Sequence, residues 1–366
     1  MHSTATPPLH LPAADGIRGV ACLIVLLTHG IAFCWPESMR WLRGSSKTGV
    51  WLFFVLSAFL LTLRLQHRGF GFHNLYDYAL GRCLRILPLF VVACLLYYGV
   101  DHGIRNDSQL WSAITFQEGF IHLWTVPAEF KLYLILPPLA WVGQALQRRF
   151  GDLTLLLASI AALALQQMLW PYWLTPESTI ETRWYLPSFL FGIIAALLLP
   201  RIRRLPRKHL ATPYALLMLA ALLLLLPGTR LWLYGTPPGT DLLDKHLYFS
   251  LMWMGFVVLL IDGNGWVGRM LCSRAMAFFG AVSYSAYLFH LLIMLPLTER
   301  WPEQYSTYLA AVSLSLAAGA IGYYLAERPL EALRRRIVGT AGLAQVYSWL
   351  TVQKAALQPI RVERNS

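Results

Sequence analysis

Charge is what this sequence has least of. Of its 366 residues only 13% are Asp, Glu, Lys or Arg, about half the quarter that a soluble domain carries. So few charges cannot cover the surface of a large aqueous fold, and that class is excluded. Paired cysteine is missing as well: Cys22, Cys34, Cys83, Cys94 and Cys272 show no CxxC spacing, so no disulfide framework is implied. GxxxxGK[ST], GxGxxG and HExxH are all absent. The phosphate loops of nucleotide enzymes and a helix-borne zinc site therefore have no signature here, and no metal and no permanently bound cofactor is expected. The first 16 residues hold no Lys or Arg, so the first apolar run reads as an uncleaved span rather than a signal peptide.

What fills the chain is apolar: 57% of residues are hydrophobic and mean hydropathy is +0.52. Runs of spanning length, about 17–25 residues, lie near 16–35, 49–65, 84–101, 126–143, 153–170, 184–200, 211–228, 246–262, 278–296 and 305–326. The fourth is interrupted by Glu129 and Lys131. The pattern predicts an all-α membrane protein of about ten transmembrane helices in a lipid bilayer.

The net charge of +12 does not point to nucleic acid, because the basic residues sit in short segments between apolar runs, where they fix orientation. With the N-terminus inside, the inner loops and C-terminal tail hold 20 of the 30 Lys and Arg and the outer loops hold 8. Arg18 and Lys131 lie at or within spans. Both termini are thus placed in the cytoplasm, with one transmembrane domain over 1–336 and a cytoplasmic tail over 337–366, weakly amphipathic near 337–352. No internal repeat and no second soluble domain are read. The sequence sets no oligomeric state.

An ionisable residue inside a span costs several kcal/mol on insertion scales and marks a functional site by default. In DGIRGVACLIVLLTHG (15–30), Arg18 and His29 are eleven residues apart, which is about 16–17 Å of rise and three turns plus roughly 20°. Both therefore point to one face, a cation at the inner mouth and an imidazole in the outer half. That suits a long substrate with an anionic head and a reactive far end. The plainer reading has Arg18 snorkelling to headgroups and His29 hydrogen-bonding a neighbouring helix. Arg82 and Arg85, at i and i+3, share a face and could clamp phosphate oxygens, though paired arginines at an inner boundary also serve as topology signals. In HLWTVPAEFKLYLILPP (122–138), Glu129 falls in the leaflet of His29, with Tyr133 at i+4. A His and a Glu meeting in one cavity would make a general acid–base pair; the plainer reading is a buried structural pair of Glu129 with an arginine or with Lys131, the latter weakened because i and i+2 do not face each other. In SYSAYLFH (283–290), Ser283, Tyr287 and His290 form one polar stripe, lining a substrate cavity or joining helices by hydrogen bonds.

These segments, in this order, resemble acyltransferase family three, the membrane O-acyltransferases of bacterial surface polysaccharides and related acceptors. DGIRG leading to His29 is similar to the family's first-span signature, GVWLFFVLSAFLLT (49–62) to its second-span motif, and Arg82 with Arg85 to its RxxR element. HLWTVPAEFKLYLILPP resembles its HLW…E…Y segment, SYSAYLFH its late-span motif, and AERPLEALRRR (326–336) its closing ERP motif. The likeness runs from about residue 10 to 336. It implies a ten-helix fold in the bacterial inner membrane and acetyl-coenzyme A, or another acyl-coenzyme A, as a cytoplasmic co-substrate. It also implies a carbohydrate or glycolipid acceptor. Position by position it makes His29 the candidate catalytic histidine, Glu129 an acid–base candidate, and Arg18, Arg82 and Arg85 donor-binding or structural arginines. Phe130 stands where a second carboxylate is usual, Lys131 where Gln is usual, and Ala58 where Gly is common. These departures point to a subgroup with a different acceptor. No fused outer domain of the kind some members carry is expected, so transfer falls to the membrane domain, alone or with a partner.

Two readings compete with transfer onto a carbohydrate. A flippase or transporter for a lipid-linked sugar would also bury Arg, His and Glu, but inverted repeats are not evident. An acyltransferase acting on a small molecule would share every motif above.

Overall fold

A computed structural model describes residues 10–235 and 242–338; the expected tail beyond residue 338 lies outside them. Among the described residues every regular element is helical. In chain order these are α1 (Ala14–Cys34), α2 (Met39–Leu42), α3 (Ser45–Arg68), α4 (Phe72–Gly99), α5 (Asp107–Ile114), α6 (Thr125–Leu169) and α7 (Thr182–Ile202). They continue with α8 (Ala211–Leu225), α9 (Pro227–Tyr234), α10 (His246–Leu260), α11 (Gly265–Leu271), α12 (Arg274–Arg300) and α13 (Tyr305–Gly322). The last runs into a π-helical turn at Tyr323–Glu327.

All ten apolar runs fall on these helices, as expected where a backbone without water must satisfy its own hydrogen bonds. Among the described residues seven helices are long and apolar enough to cross a membrane, or nine if the bent pairs α8–α9 and α10–α11 each count as one. The difference from ten lies in α6. Its 45 residues would reach about 67 Å if straight, more than twice the roughly 30 Å apolar core of a bilayer. Gly151 breaks it, with a φ of +85° that a side chain would resist. The two runs near 126–143 and 153–170 lie on either side.

Two features set the site. The α3 helix is central, with most of its span buried, and carries Trp51, Phe54 and Phe59 into the core. The α1 and α12 helices cross in near backbone contact. A Cβ at Gly19 would collide with the Met276 carbonyl, and one at Gly280 with the Asp15 carbonyl. Small residues permit such approach between membrane helices, and this one places the polar stripe of α12 against the face of α1 that carries Arg18 and His29. Large side chains such as Leu134, Ile160 and Leu217 point outward instead, as a lipid-facing surface requires.

Candidate active site

Three cavities follow one another through the bundle, neighbours sharing wall residues. At the end where α1 begins, a cavity of about 410 Å³ is lined by Arg18, Arg64, Arg82, Arg85, Arg328 and Arg335, with Asp15, Glu327 and Glu331. It narrows to a throat of about 80 Å³ that keeps Arg18, Arg82 and Arg85 in its wall and adds Ser57, Glu129, Tyr133, Ser283 and Tyr287. Beyond the throat, past Val50 and Tyr287, a cavity of about 660 Å³ opens around His29 and His122. We call these the arginine end, the throat and the histidine end.

The three arginines expected to act together do meet. Arg18 donates to Asp15 at 2.9 Å, and Arg82 lies with its guanidinium carbon 5.8 Å from the Tyr133 ring centroid. Arg82 Nε is buried without a hydrogen-bond partner. A buried, unsatisfied guanidinium nitrogen is costly unless a ligand completes it, so the residues present fit an anionic head.

A second set of arginines holds the frame. Asp77, 1% exposed, accepts from Arg64 at 2.5 Å and Arg68 at 2.6 Å and also pairs with Arg334. Arg334 in turn pairs with Glu331 at 2.6 Å. Glu327, turned inward by the π-helical turn, accepts from the Ser285 amide at 3.2 Å and from its hydroxyl. The ERP segment is thereby bolted to α3, α4 and α12.

In the throat, the Tyr133 hydroxyl donates to Glu129, as the i+4 spacing predicts, and Ser57 stands in the same wall. No ion pair joins Glu129 to Lys131 among the described residues. Glu129 and His29 are not brought into one cavity: they line adjoining ones, and neither is the other's partner. A helix face read from the sequence gives a direction but not the helix opposite.

The partner of His29 is His290. The rings stack with centroids 5.1 Å apart, and His29 Nδ1 lies 2.8 Å from His290 Nε2. His290 Nδ1 lies 2.7 Å from the Tyr287 carbonyl. A carbonyl only accepts, so His290 Nδ1 bears the proton and its Nε2 is the acceptor. His29 must then donate from Nδ1, leaving Nε2 as a lone pair on a ring that lines the large cavity. His290 was expected in a cavity wall. It is fully buried and lines none of the three cavities, standing behind His29 and fixing its tautomer. Ser283 and Tyr287 do line the throat. Tyr287 also joins helices: it accepts from Thr125 at 2.9 Å and donates to the His122 carbonyl at 2.7 Å.

His122 is the residue that sequence reasoning passed over, taken only as the first letter of a motif. Its ring sits edge-on to His290, centroids 4.7 Å apart. Its Nε2 donates to the Leu288 carbonyl at 3.2 Å, which leaves Nδ1 an acceptor, buried and unpartnered. Position in a non-helical segment gave no periodic signal for it.

A family profile described as an acyltransferase domain matches residues 11–327. Named relatives match it at low identity. A protein named "Putative O-acetyltransferase" of Staphylococcus aureus (strain COL) is 21% identical, over 88% of this chain and 57% of its own. The "Putative peptidoglycan O-acetyltransferase YrhL" of Bacillus subtilis (strain 168) is 23% identical, over 88% of this chain and 55% of its own. The "Putative acetyltransferase ORF330" of Acidianus two-tailed virus is 24% identical, over 67% of this chain and 72% of its own. The chain thus spans little more than half the length of the first two. No solved structure matches it. With the profile covering nearly the whole of the described residues and its motifs converging on one chain of cavities, the protein belongs to acyltransferase family three.

Proposed function

We propose that this protein is a multi-pass O-acyltransferase of the bacterial inner membrane, with ten spans and both termini cytoplasmic, using an acyl-coenzyme A, acetyl by default. The arginine end would face the cytoplasm and hold the phosphates of the donor through Arg18, Arg82 and Arg85. The acyl arm would thread the throat past Glu129 and Tyr133. The acceptor, a hydroxyl of a cell-surface or lipid-linked carbohydrate, would sit in the histidine-end cavity.

One observation carries this reading: a guanidinium cluster with an unsatisfied nitrogen and an imidazole with a fixed free lone pair lie at opposite ends of a narrow throat. The rise between Arg18 and His29, about 16–17 Å, separates anion recognition from chemistry by the length of a chain-like donor. In the transfer, His29 Nε2 takes the acceptor hydroxyl proton as its oxygen bonds to the acyl carbon. The carbon–sulfur bond breaks, and the proton ends on the departing coenzyme A sulfur, with Glu129 in the throat wall as the carboxyl nearest its path. The His290 acceptor keeps His29 in the base tautomer and shares the charge it gains.

Membranes bearing the protein, given acetyl-coenzyme A labelled in the acetyl group, test this. Label should appear in carbohydrate as a base-labile ester. Label that stays in coenzyme A or in free acetate, with the protein correctly inserted, overturns the reading.

A further inference from the structure

We propose that the arginine end is built in two parts: Arg328, with Arg335 beside it, takes the phosphate on the ribose 3′ carbon of a coenzyme A donor, while Arg18, Arg82 and Arg85 take its diphosphate. The donor class is then a free coenzyme A thioester, not an acyl-phosphopantetheine arm on a carrier protein, which has no such phosphate. The inference rests on the reading that this cavity holds the donor, and it names the group by which the donor is told apart.

Local structure places the second part. Pro329 has no N–H to return to the preceding turn. Just before it the helix widens into the π-helical turn at Tyr323–Glu327, an insertion of the kind that recurs at functional sites. Glu327 is turned onto Ser285. Arg328, Glu331 and Arg335 follow at i, i+3 and i+7, on one face, and all three line the cavity of about 410 Å³. Arg18, Arg82 and Arg85 line both this cavity and the throat, whereas Arg328 and Arg335 line the cavity and not the throat. One group of cations therefore stands at the throat's mouth and the other away from it.

Charge comes next. Six guanidiniums face three carboxylates in that wall. Asp15 is paired with Arg18, Glu331 with Arg334 and Arg335, and Glu327 is held by Ser285. Arg64 has Asp77 outside the wall. Among the described residues Arg82, Arg85 and Arg328 form no ion pair; the Arg328 guanidinium carbon lies 6.0 Å from the Tyr324 ring centroid. Arg335 is 74% exposed and meets Glu331 at 3.3 Å, a contact of the kind that contributes little. Orientation asks for positive charge at this boundary, but it does not ask that the charge line a cavity. The order of the donor's parts agrees. Coenzyme A runs from its thioester along a pantetheine arm to the diphosphate, and then to the ribose with its 3′-phosphate. An arm in the throat puts the diphosphate at the throat's mouth and the 3′-phosphate farther out, on Arg328's side. That phosphate is a monoester with a charge of about −1.5 to −2 at pH 7 and three strong acceptor oxygens, which a guanidinium fork suits.

Two donors labelled in the acetyl group test this: acetyl-coenzyme A and acetyl-3′-dephospho-coenzyme A. Each is titrated, without ATP, into washed membranes of the cells that carry the protein, and label in base-labile ester is counted. The unaltered protein should favour acetyl-coenzyme A in kcat/KM by about tenfold or more, the scale of one hydrogen bond to a charged group, chiefly through donor KM. Arg328→Gln should bring that ratio close to one by raising KM for acetyl-coenzyme A, and Arg328→Lys should keep part of it, since charge survives without the fork. Arg82→Lys should weaken both donors together and preserve the ratio, because both carry the diphosphate. Equal use of the two donors by the unaltered protein overturns the proposal and leaves transfer standing. So does a full preference retained in Arg328→Gln. A loss in Arg328→Gln that falls on both donors alike also overturns it, and would assign Arg328 to the fold. Ester from neither donor overturns transfer and this proposal together.

Discussion

The two ends of the cavity chain are built from opposite materials. The arginine end gathers cations and fixes some of them with buried carboxylates, notably Asp77 beneath Arg64, Arg68 and Arg334. The histidine end fixes neutral rings through carbonyls and through each other. A permanent charge suits recognition, since it attracts an anion whatever the local proton balance. A neutral imidazole suits chemistry, since only a group that can both take and release a proton moves one. The contrast predicts that damage at one end shows in rate and damage at the other in donor affinity.

The sharpest break is His29→Ala. Removing the base should cut acyl transfer by about 10²–10⁴-fold, the range of general acid–base contributions, while binding of a coenzyme A analogue stays at the wild-type level. Wild-type rates in a well-inserted His29→Ala protein would remove the catalytic role and with it the meaning of the histidine end.

Glu129→Gln comes next. The carboxyl accepts from Tyr133 and Phe130 offers no second carboxylate beside it, so the rate per folded molecule should fall by about 10²-fold or more. Gln keeps one acceptor oxygen for Tyr133, so folding should largely survive. A rate within a factor of a few of wild type would reduce Glu129 to a support for the throat.

At the arginine end the reading should move from rate to affinity. Arg82→Lys keeps a charge but loses the fork that includes the unsatisfied Nε. Coenzyme A binding should weaken by about tenfold, as for loss of one charge-assisted hydrogen bond, and by more in Arg82→Ala. Arg85 should behave alike because it shares both cavity walls. Unchanged affinity across Arg18, Arg82 and Arg85 variants would make the cluster structural.

How far this site could be read from sequence follows the physics of each part. The apolar runs were legible because lipid demands unbroken apolar length, and they fall on helices, of which seven to nine among the described residues are long and apolar enough to span. The Arg18–His29 pair was legible because helical period fixes which residues share a face. Partners across helices were not: nothing in the stripe of α12 says that His290 meets His29, because the glycines that allow that approach, Gly19 and Gly280, look like any others. Nor did Asp77 stand out, since an acid at a helix end is ordinary until three arginines converge on it.

Asp77→Ala should give the smallest effect on turnover, and it tests whether the arginine end separates frame from function. Asp77 is buried and lines none of the three cavities, yet it ties α3 and the ERP segment to α4. Its loss strands Arg64 and Arg334, 24% and 11% exposed, without their buried counter-ion. Breaking a buried pair from one side costs about 3–5 kcal/mol, so folded protein recovered in detergent should drop and thermal inactivation should come earlier. The arginines that line the throat, Arg18, Arg82 and Arg85, do not pair with Asp77, so molecules that do fold should transfer acyl groups at close to the wild-type rate. Removing Arg64 along with Asp77 should return part of the stability, because one cation fewer is then left without its buried counter-ion. A large fall in rate per folded molecule, uncorrected in the double variant, would mean that the frame shapes the donor site directly.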